Sequence, residues 1–155
     1  VLGSRGLGDV YKRQEKEYAI LLELRDWMQT NGEAIYATRP WKVFGEGPIA
    51  DSDISINAQG FNEGSYMNPS SEEIRFTQTP RYLYATALKW PDSDKPQTIT
   101  IKSLSQESGL FGKRIGKVEL LGHGKVPFRR TRNGLEIDLP ANHKDRIAPV
   151  FKIKK

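Results

Sequence analysis

The sequence predicts a mainly β protein, an antiparallel β-sandwich preceded by one amphipathic α-helix. Three observations predict it. Residues 15–30 carry apolar side chains at helical spacing. From residue 73 onward, short runs alternate polar and apolar side chains, recurring every 8–16 residues or roughly so with no helical stretch between them. Between these regions, Asn31-Gly32 stops the helix, and Pro40, Gly45, Gly47 and Pro48 interrupt any regular element.

Composition bounds the class. With 155 residues, 37% hydrophobic and 28% charged, the chain is long enough to bury a core without covalent staples. It contains no cysteine, which excludes disulfides, thiolate nucleophiles and Cys-based metal sites. No apolar run approaches the roughly 18 residues of a membrane-spanning helix. The formal charge of +5 invites a nucleic-acid reading. However, Arg5, Lys12 and Arg13 against Asp9 give the first 14 residues +2, leaving +3 on the remainder. The densest basic cluster, Arg129-Arg130-Thr131-Arg132, flanks a hairpin signal, and a strand edge guarded by solvated charge explains it without nucleic acid.

In chain order, residues 1–14 show neither the apolar stretch nor the cleavage site of a signal peptide. The string resembles translated adapter sequence and is set outside the fold as an artefactual or disordered segment. Gly3, Gly6 and Gly8 follow no strand, so they do not form a nucleotide loop. In residues 15–30, Ile20, Leu21, Leu24, Trp27 and Met28 form one apolar stripe among charged neighbours. The stripe requires a partner surface or stays partly exposed. Asn31 and Gly32 both tolerate the left-handed conformation that ends helices. Residues 33–48 read as an irregular connector in which Trp41 and Phe44 plug a core. Asp51 and Asp53 hint at a calcium loop, but Ile56 stands where the required glycine should be, leaving a surface loop. Strands are expected at residues 73–77, 82–89, 98–102, 117–120, 126–129, 135–139 and 147–153, with Asn133-Gly134 as the clearest hairpin turn.

The run Asn31-Gly32-Glu33-Ala34-Ile35-Tyr36-Ala37-Thr38-Arg39-Pro40-Trp41 resembles the segment that closes the catalytic barrel of family 29 α-L-fucosidases. In that family a run like N-G-E-A-I-Y-G-T-R-P-W leads into a C-terminal β-sandwich, and Ala37 here replaces its usual glycine. Phe61-Asn62-Glu63, residues 73–77, Leu83-Tyr84-Ala85, Lys89-Trp90-Pro91 and residues 118–122 resemble successive sandwich landmarks. The resemblance covers residues 18–153 and is most specific around residues 31–41. Pro149 departs from the family pattern and would remove a ladder hydrogen bond unless its strand lies at an edge.

The resemblance implies three segments: residues 1–14 outside the fold, residues 15–48 as the last helix and connector of a (β/α)8-type barrel, and residues 49–155 as the sandwich. It implies a parent that removes terminal α-L-fucose from glycans with retention, using two carboxyl groups about 5–5.5 Å apart. Both would lie upstream on the missing barrel, which becomes this chain's expected partner, and a secreted or periplasmic parent is suggested. Nucleic acid, membranes and cofactors are not expected partners.

Within the chain no catalytic, cofactor or metal residue is assigned. Glu33 would emerge at the barrel face opposite the active site, so it reads as a structural acid holding the connector through backbone N–H groups. His123 in a Gly-His-Gly turn and His143 in a polar loop lack the further ligands that a metal needs, and both read as turn residues. No Gly-x-Ser-x-Gly elbow is present. Trp90, Tyr82, Tyr84, Phe61 and Tyr66 would form a sugar-stacking platform if they shared an exposed face; otherwise they fill the core. A carbohydrate-binding module is therefore the principal alternative reading, and a basic nucleic-acid binder the lesser one.

Overall fold

A computed structural model describes residues 4–52, 68–92, 97–143 and 147–155, with side chains from residue 11 onward. Two compact units result, Val1–Gly32 and Glu33–Lys155.

The first unit is a single helix, α1, spanning Ser4–Asn31. It starts eleven residues before the expected position, so most of the segment set outside the fold is helical. The reason is cooperativity. Once residues 15–31 form a helix, each further residue adds one hydrogen bond for one residue fixed, and the flank tolerates that despite Gly6 and Gly8. Along the apolar stripe, Ile20, Leu21 and Leu24 are exposed, while Trp27 and Met28 are half-buried. The Asn31 side chain donates to the Trp27 carbonyl at 3.2 Å, closing the last turn. A 3-10 turn, Gly32–Ala34, follows directly. The left-handed residue expected at Asn31-Gly32 occurs instead at Ala37, with φ of 56°.

Among its described residues the second unit holds nine strands: β1 (Arg39–Glu46), β2 (Ile74–Gln78), β3 (Tyr82–Ala87), β4 (Thr98–Ile101), β5 (Val118–Leu120), β6 (Gly124–Lys125), β7 (Phe128–Arg130), β8 (Leu135–Asp138) and β9 (Val150–Lys154). They form two sheets, a six-stranded one ordered β1-β2-β3-β9-β5-β6 and a three-stranded one ordered β4-β8-β7. Every pairing is antiparallel. Ile74, Phe76, Leu83, Phe151 and Ile153 of the larger sheet share one buried core with Ile99, Ile101, Leu135 and Ile137 of the smaller. This is the expected sandwich.

β1 corrects the sequence reading, which left residues 33–48 irregular. Pro40 is accommodated because β1 lies at a sheet edge, where a missing N–H breaks no ladder, and the register shifts between Pro40 and Gly45. Trp41 is buried edge-on against Phe76, with ring centroids 5.0 Å apart, as expected of a core plug. Phe44 is not one; it points outward and lies exposed under the Arg75 guanidinium, 5.7 Å from its ring centroid.

Pro149 immediately precedes β9, which is central rather than at an edge. Its carbonyl accepts from Ala87 N–H at 3.0 Å, so the proline sits where no ladder donor is demanded. The Asn133-Gly134 hairpin joins β7 to β8, and Thr131 N–H donates to the Gly134 carbonyl at 2.8 Å. Glycine is required at 134 for space: a Cβ there would lie 2.7 Å from Thr100 Cγ2 and 2.8 Å from the Ile101 carbonyl oxygen.

Candidate functional site

The register of the six-stranded sheet sorts its side chains into two faces. Phe76, Ala85 and Phe151 align across β2, β3 and β9 on the core side. One residue along, Thr77, Tyr84 and Lys152 align on the outer side. Residues 33–34 cross this outer face. The Thr77 hydroxyl donates to the Ala34 carbonyl at 2.6 Å. Lys152 Nζ donates to Glu33 Oε2 at 2.8 Å, and the Tyr84 hydroxyl reaches the same oxygen at 3.4 Å. The Lys152 ammonium also lies 4.4 Å from the Tyr82 ring centroid.

The electrostatics of this cluster are those of a lock. The hydrogen bond that Lys152 donates to Glu33 raises the Lys152 pKa above its ordinary value, outweighing burial, which acts to lower it. Burial raises the Tyr84 pKa, and the Glu33 charge raises it further. A lysine held charged and a tyrosine held neutral are both poorly suited to accept a proton near neutrality. Glu33 was expected to hold the connector through backbone N–H groups. Its partners, however, are side chains of β3 and β9 rather than backbone N–H groups.

Two other acids hold backbone N–H groups, and the sequence reading missed both. Glu46, buried at the end of β1, accepts from Lys102 N and Ser103 N, each at 2.6 Å. It thereby ties the larger sheet to the 3-10 turn Lys102–Leu104, directly after β4 of the smaller one. Glu73, fully buried, accepts from Ile49 N and from Arg75 Nη1, the latter at 3.1 Å. The available signal was an acid bordering a strand next to a glycine-broken loop, where orphan N–H groups gather.

The basic cluster also divides. Arg129 pairs with Glu136 at 3.0 Å and Arg132 lies 3.8 Å from Glu107, both exposed at the edge of the smaller sheet. Arg130 corrects the solvated-edge reading. Its guanidinium donates to the carbonyls of Leu104 (2.8 Å), Lys113 (2.9 Å), Ser105 (3.0 Å) and Phe111 (2.7 Å). It is a clamp for residues 104–113, using the rigid donor fork that only arginine supplies.

The two histidines, 20 residues apart in sequence, come together in space with ring centroids 6.0 Å apart. His123 stays exposed in the turn between β5 and β6, as expected. His143 is not a solvated turn residue: it is buried and stacked on Trp90 at 5.5 Å between centroids. Among the described residues, no three His, Asp or Glu side chains converge as metal ligands. Nor, among them, is any helix long and apolar enough to cross a membrane.

Trp90 and Tyr84 are buried, and Trp90 Nε1 donates to Gln97 Oε1 at 2.9 Å. They therefore do not join half-buried Tyr82 in an exposed sugar-stacking platform. Phe61 and Tyr66, the other proposed members, lie outside the described residues, as does Asp53; Asp51 is exposed in a turn. A cleft of about 230 Å³ opens beside Trp41, lined by Lys42, Gln78, Phe111, Lys113 and Lys155. Lys42 and Lys155 already donate there to the carbonyls of Leu110 and Thr79.

The family model of the alpha-L-fucosidase C-terminal domain matches residues 68–154. Plasma alpha-L-fucosidase of Rattus norvegicus is 30% identical over 125 residues, covering 77% of this chain and 20% of that protein. Plasma alpha-L-fucosidase of Pongo abelii is 28% identical over 124 residues, with the same coverage of 77% and 20%. The chain thus spans about a fifth of the length of the curated relatives it matches. Among solved structures, Thermotoga maritima alpha-fucosidase with a mechanism-based inhibitor superposes with a TM-score of 0.55 at 22% identity, covering 84% of this chain and 24% of that one. Alpha-L-fucosidase isoenzyme 1 from Paenibacillus thiaminolyticus gives 0.51 at 18% identity, covering 85% and 25%. At these identities the structural likeness is one of fold.

Proposed function

The chain belongs to the alpha-L-fucosidase C-terminal domain family, and on that premise we propose that it is the C-terminal part of an α-L-fucosidase, structural in role and inactive alone. Its parent hydrolyses terminal α-L-fucose from glycans with retention, using two carboxylates carried upstream on a catalytic barrel. The observation that carries the reading is the family match over residues 68–154, together with relatives of which the matched stretch covers only 20%. The local chemistry supports it. Glu33, Glu46 and Glu73 all have structural partners, and the Glu33 cluster holds its neighbours in states unsuited to proton transfer. The partner of this chain is the barrel, on which the exposed stripe Ile20, Leu21 and Leu24 of α1 would pack.

The test is turnover of an aryl α-L-fucoside by this chain and by the complete parent, recovered by reading the coding sequence upstream of Glu15. The parent is expected to release the aryl group and the chain to release none. Turnover by the chain alone, or an unrelated upstream domain, overturns the reading. In the latter case, saturable binding of fucosylated glycans would make the sandwich a recognition module.

A further inference from the structure

We infer that Asn133 is a site of self-modification: the Gly134 backbone nitrogen closes on the Asn133 side chain, and Thr131, oriented by Glu136, takes the proton. The chain holds two Asn-Gly pairs, and the fold treats them differently. Asn31 is 3% exposed, and its side-chain amide donates back along α1 to the Trp27 carbonyl, away from Gly32. Asn133 is exposed in the bend between β7 and β8, outside both strands. Gly134 beside it is buried against Thr100 and Ile101. The attacking nitrogen is thus held in place, while the side chain that must reach it stands in solvent.

An amide nitrogen is a poor nucleophile until its proton has somewhere to go. Here Gly134 N–H donates to Thr131 Oγ1 at 3.3 Å, and Asn133 N–H donates to the same oxygen at 3.2 Å. The Thr131 hydroxyl in turn donates to Glu136 Oε1 at 3.3 Å, sharing its proton with the Gly134 carbonyl at 3.1 Å. The other Glu136 oxygen accepts from Arg129 Nη2 at 3.0 Å, which fixes the carboxylate. A path therefore runs from the nitrogen through a hydroxyl to a carboxylate. As the proton leaves, the bond from Gly134 N to Asn133 Cγ forms and the Cγ–Nδ2 bond breaks. The side-chain nitrogen departs as ammonia, carrying that proton away. Solvent water then opens the cyclic imide, leaving aspartate or isoaspartate at position 133. The product sets a carboxylate beside the exposed Arg132 and lowers the formal charge of +5 by one.

Incubation of the chain at neutral and mildly alkaline pH tests the inference, followed by peptide mapping that separates asparaginyl, aspartyl and isoaspartyl forms. Conversion is expected at Asn133 and not at Asn31. Glu136→Gln keeps a hydrogen-bond acceptor but removes the base, and should slow conversion about tenfold, less than a well-aligned general base supplies because both links are long. The pH profile separates this positioning role from a merely structural one. In the unchanged chain the rate should rise less than in proportion to hydroxide. In Glu136→Gln, and in a synthetic peptide of residues 128–138, it should follow hydroxide. Thr131→Ser should retain the fast rate and Thr131→Val lose it, and this pair gives the answer if the Gln variant loses the circular dichroism of the folded chain. An unmodified Asn133, equal conversion at Asn31, or a folded Glu136→Gln variant with unchanged rate and pH profile overturns the inference.

Discussion

Phe151 and Lys152 are neighbours on β9, and the difference between them divides this molecule. Phe151 is fully buried between the two sheets, where its neighbours are hydrocarbon from β3, β5 and the smaller sheet. Lys152 points to the opposite face, toward a carboxylate and two tyrosines. The inner face is held by apolar area removed from water, which is additive and insensitive to pH. The outer face is held by a few directional contacts to a short stretch of connector, and such contacts between partly exposed charges contribute little energy individually. The difference teaches which half makes the sandwich stable and which half positions the chain that enters it.

The contrast can be broken first at its strong side. Phe151→Ala should cost about 3–5 kcal/mol in denaturant unfolding, a large share of a small domain's stability, because the central strand cannot collapse into the void. A cost near that of an exposed substitution would mean that the core is not where the stability lies. Next, Glu46→Ala strands the N–H groups of Lys102 and Ser103 at the join between the sheets. It should cost about 2–4 kcal/mol and increase hydrogen exchange at those two amides. If exchange there stays slow, water or another acceptor serves them and Glu46 is not the tie.

Two smaller effects sharpen the outer side. Ala37→Gly relieves the left-handed backbone and should stabilise by up to about 1 kcal/mol, the glycine entropy cost offsetting part of the gain. A destabilised variant would show that the alanine methyl makes a contact worth more than the strain. The Glu33→Gln change should cost less than about 1 kcal/mol at neutral pH, since the acid is 44% exposed and solvent screens it. Its pH signature is more informative than its size. Lys152 and Tyr84 bind their protons more tightly folded than unfolded, so the stability they contribute is complete below their ordinary values of 10.5 and 10.0 and is lost as pH rises through the folded ones. The parent-minus-variant difference should therefore shrink above pH 10.5 or so, whereas Lys155, lowered by its own burial, acts equally in both proteins. A difference independent of pH would remove Glu33 from the lock.

Legibility in the sequence followed the same division. The inner face was readable because burial imposes a period of two, and residues 74–77, 98–101 and 135–138 each carry it without interruption. β1 was not readable, because Pro40 and Gly45 are strand breakers everywhere except at an edge or a register shift, and no local pattern says where an edge will be. Phe44 was misplaced for a related reason: without the strand, its alternation with Trp41 had no meaning. Glu33 was read as structural without its partners, since Lys152 is 119 residues away. Arg130 was read as one of three equivalent arginines, yet the four carbonyls it collects belong to a loop whose path the strands set.

The sequence alone determined the helix near the N-terminus, the antiparallel sandwich, the hairpin at Asn133-Gly134 and the family resemblance concentrated in residues 31–41. These depend on periodicity and on short motifs, which are properties of neighbouring residues. Tertiary structure decided which acid holds which donor, that two histidines 20 residues apart meet beside Trp90, and that Ala37 carries the left-handed turn. Those facts depend on distances between residues far apart in the chain, and such distances are fixed only when the sheets have paired and packed.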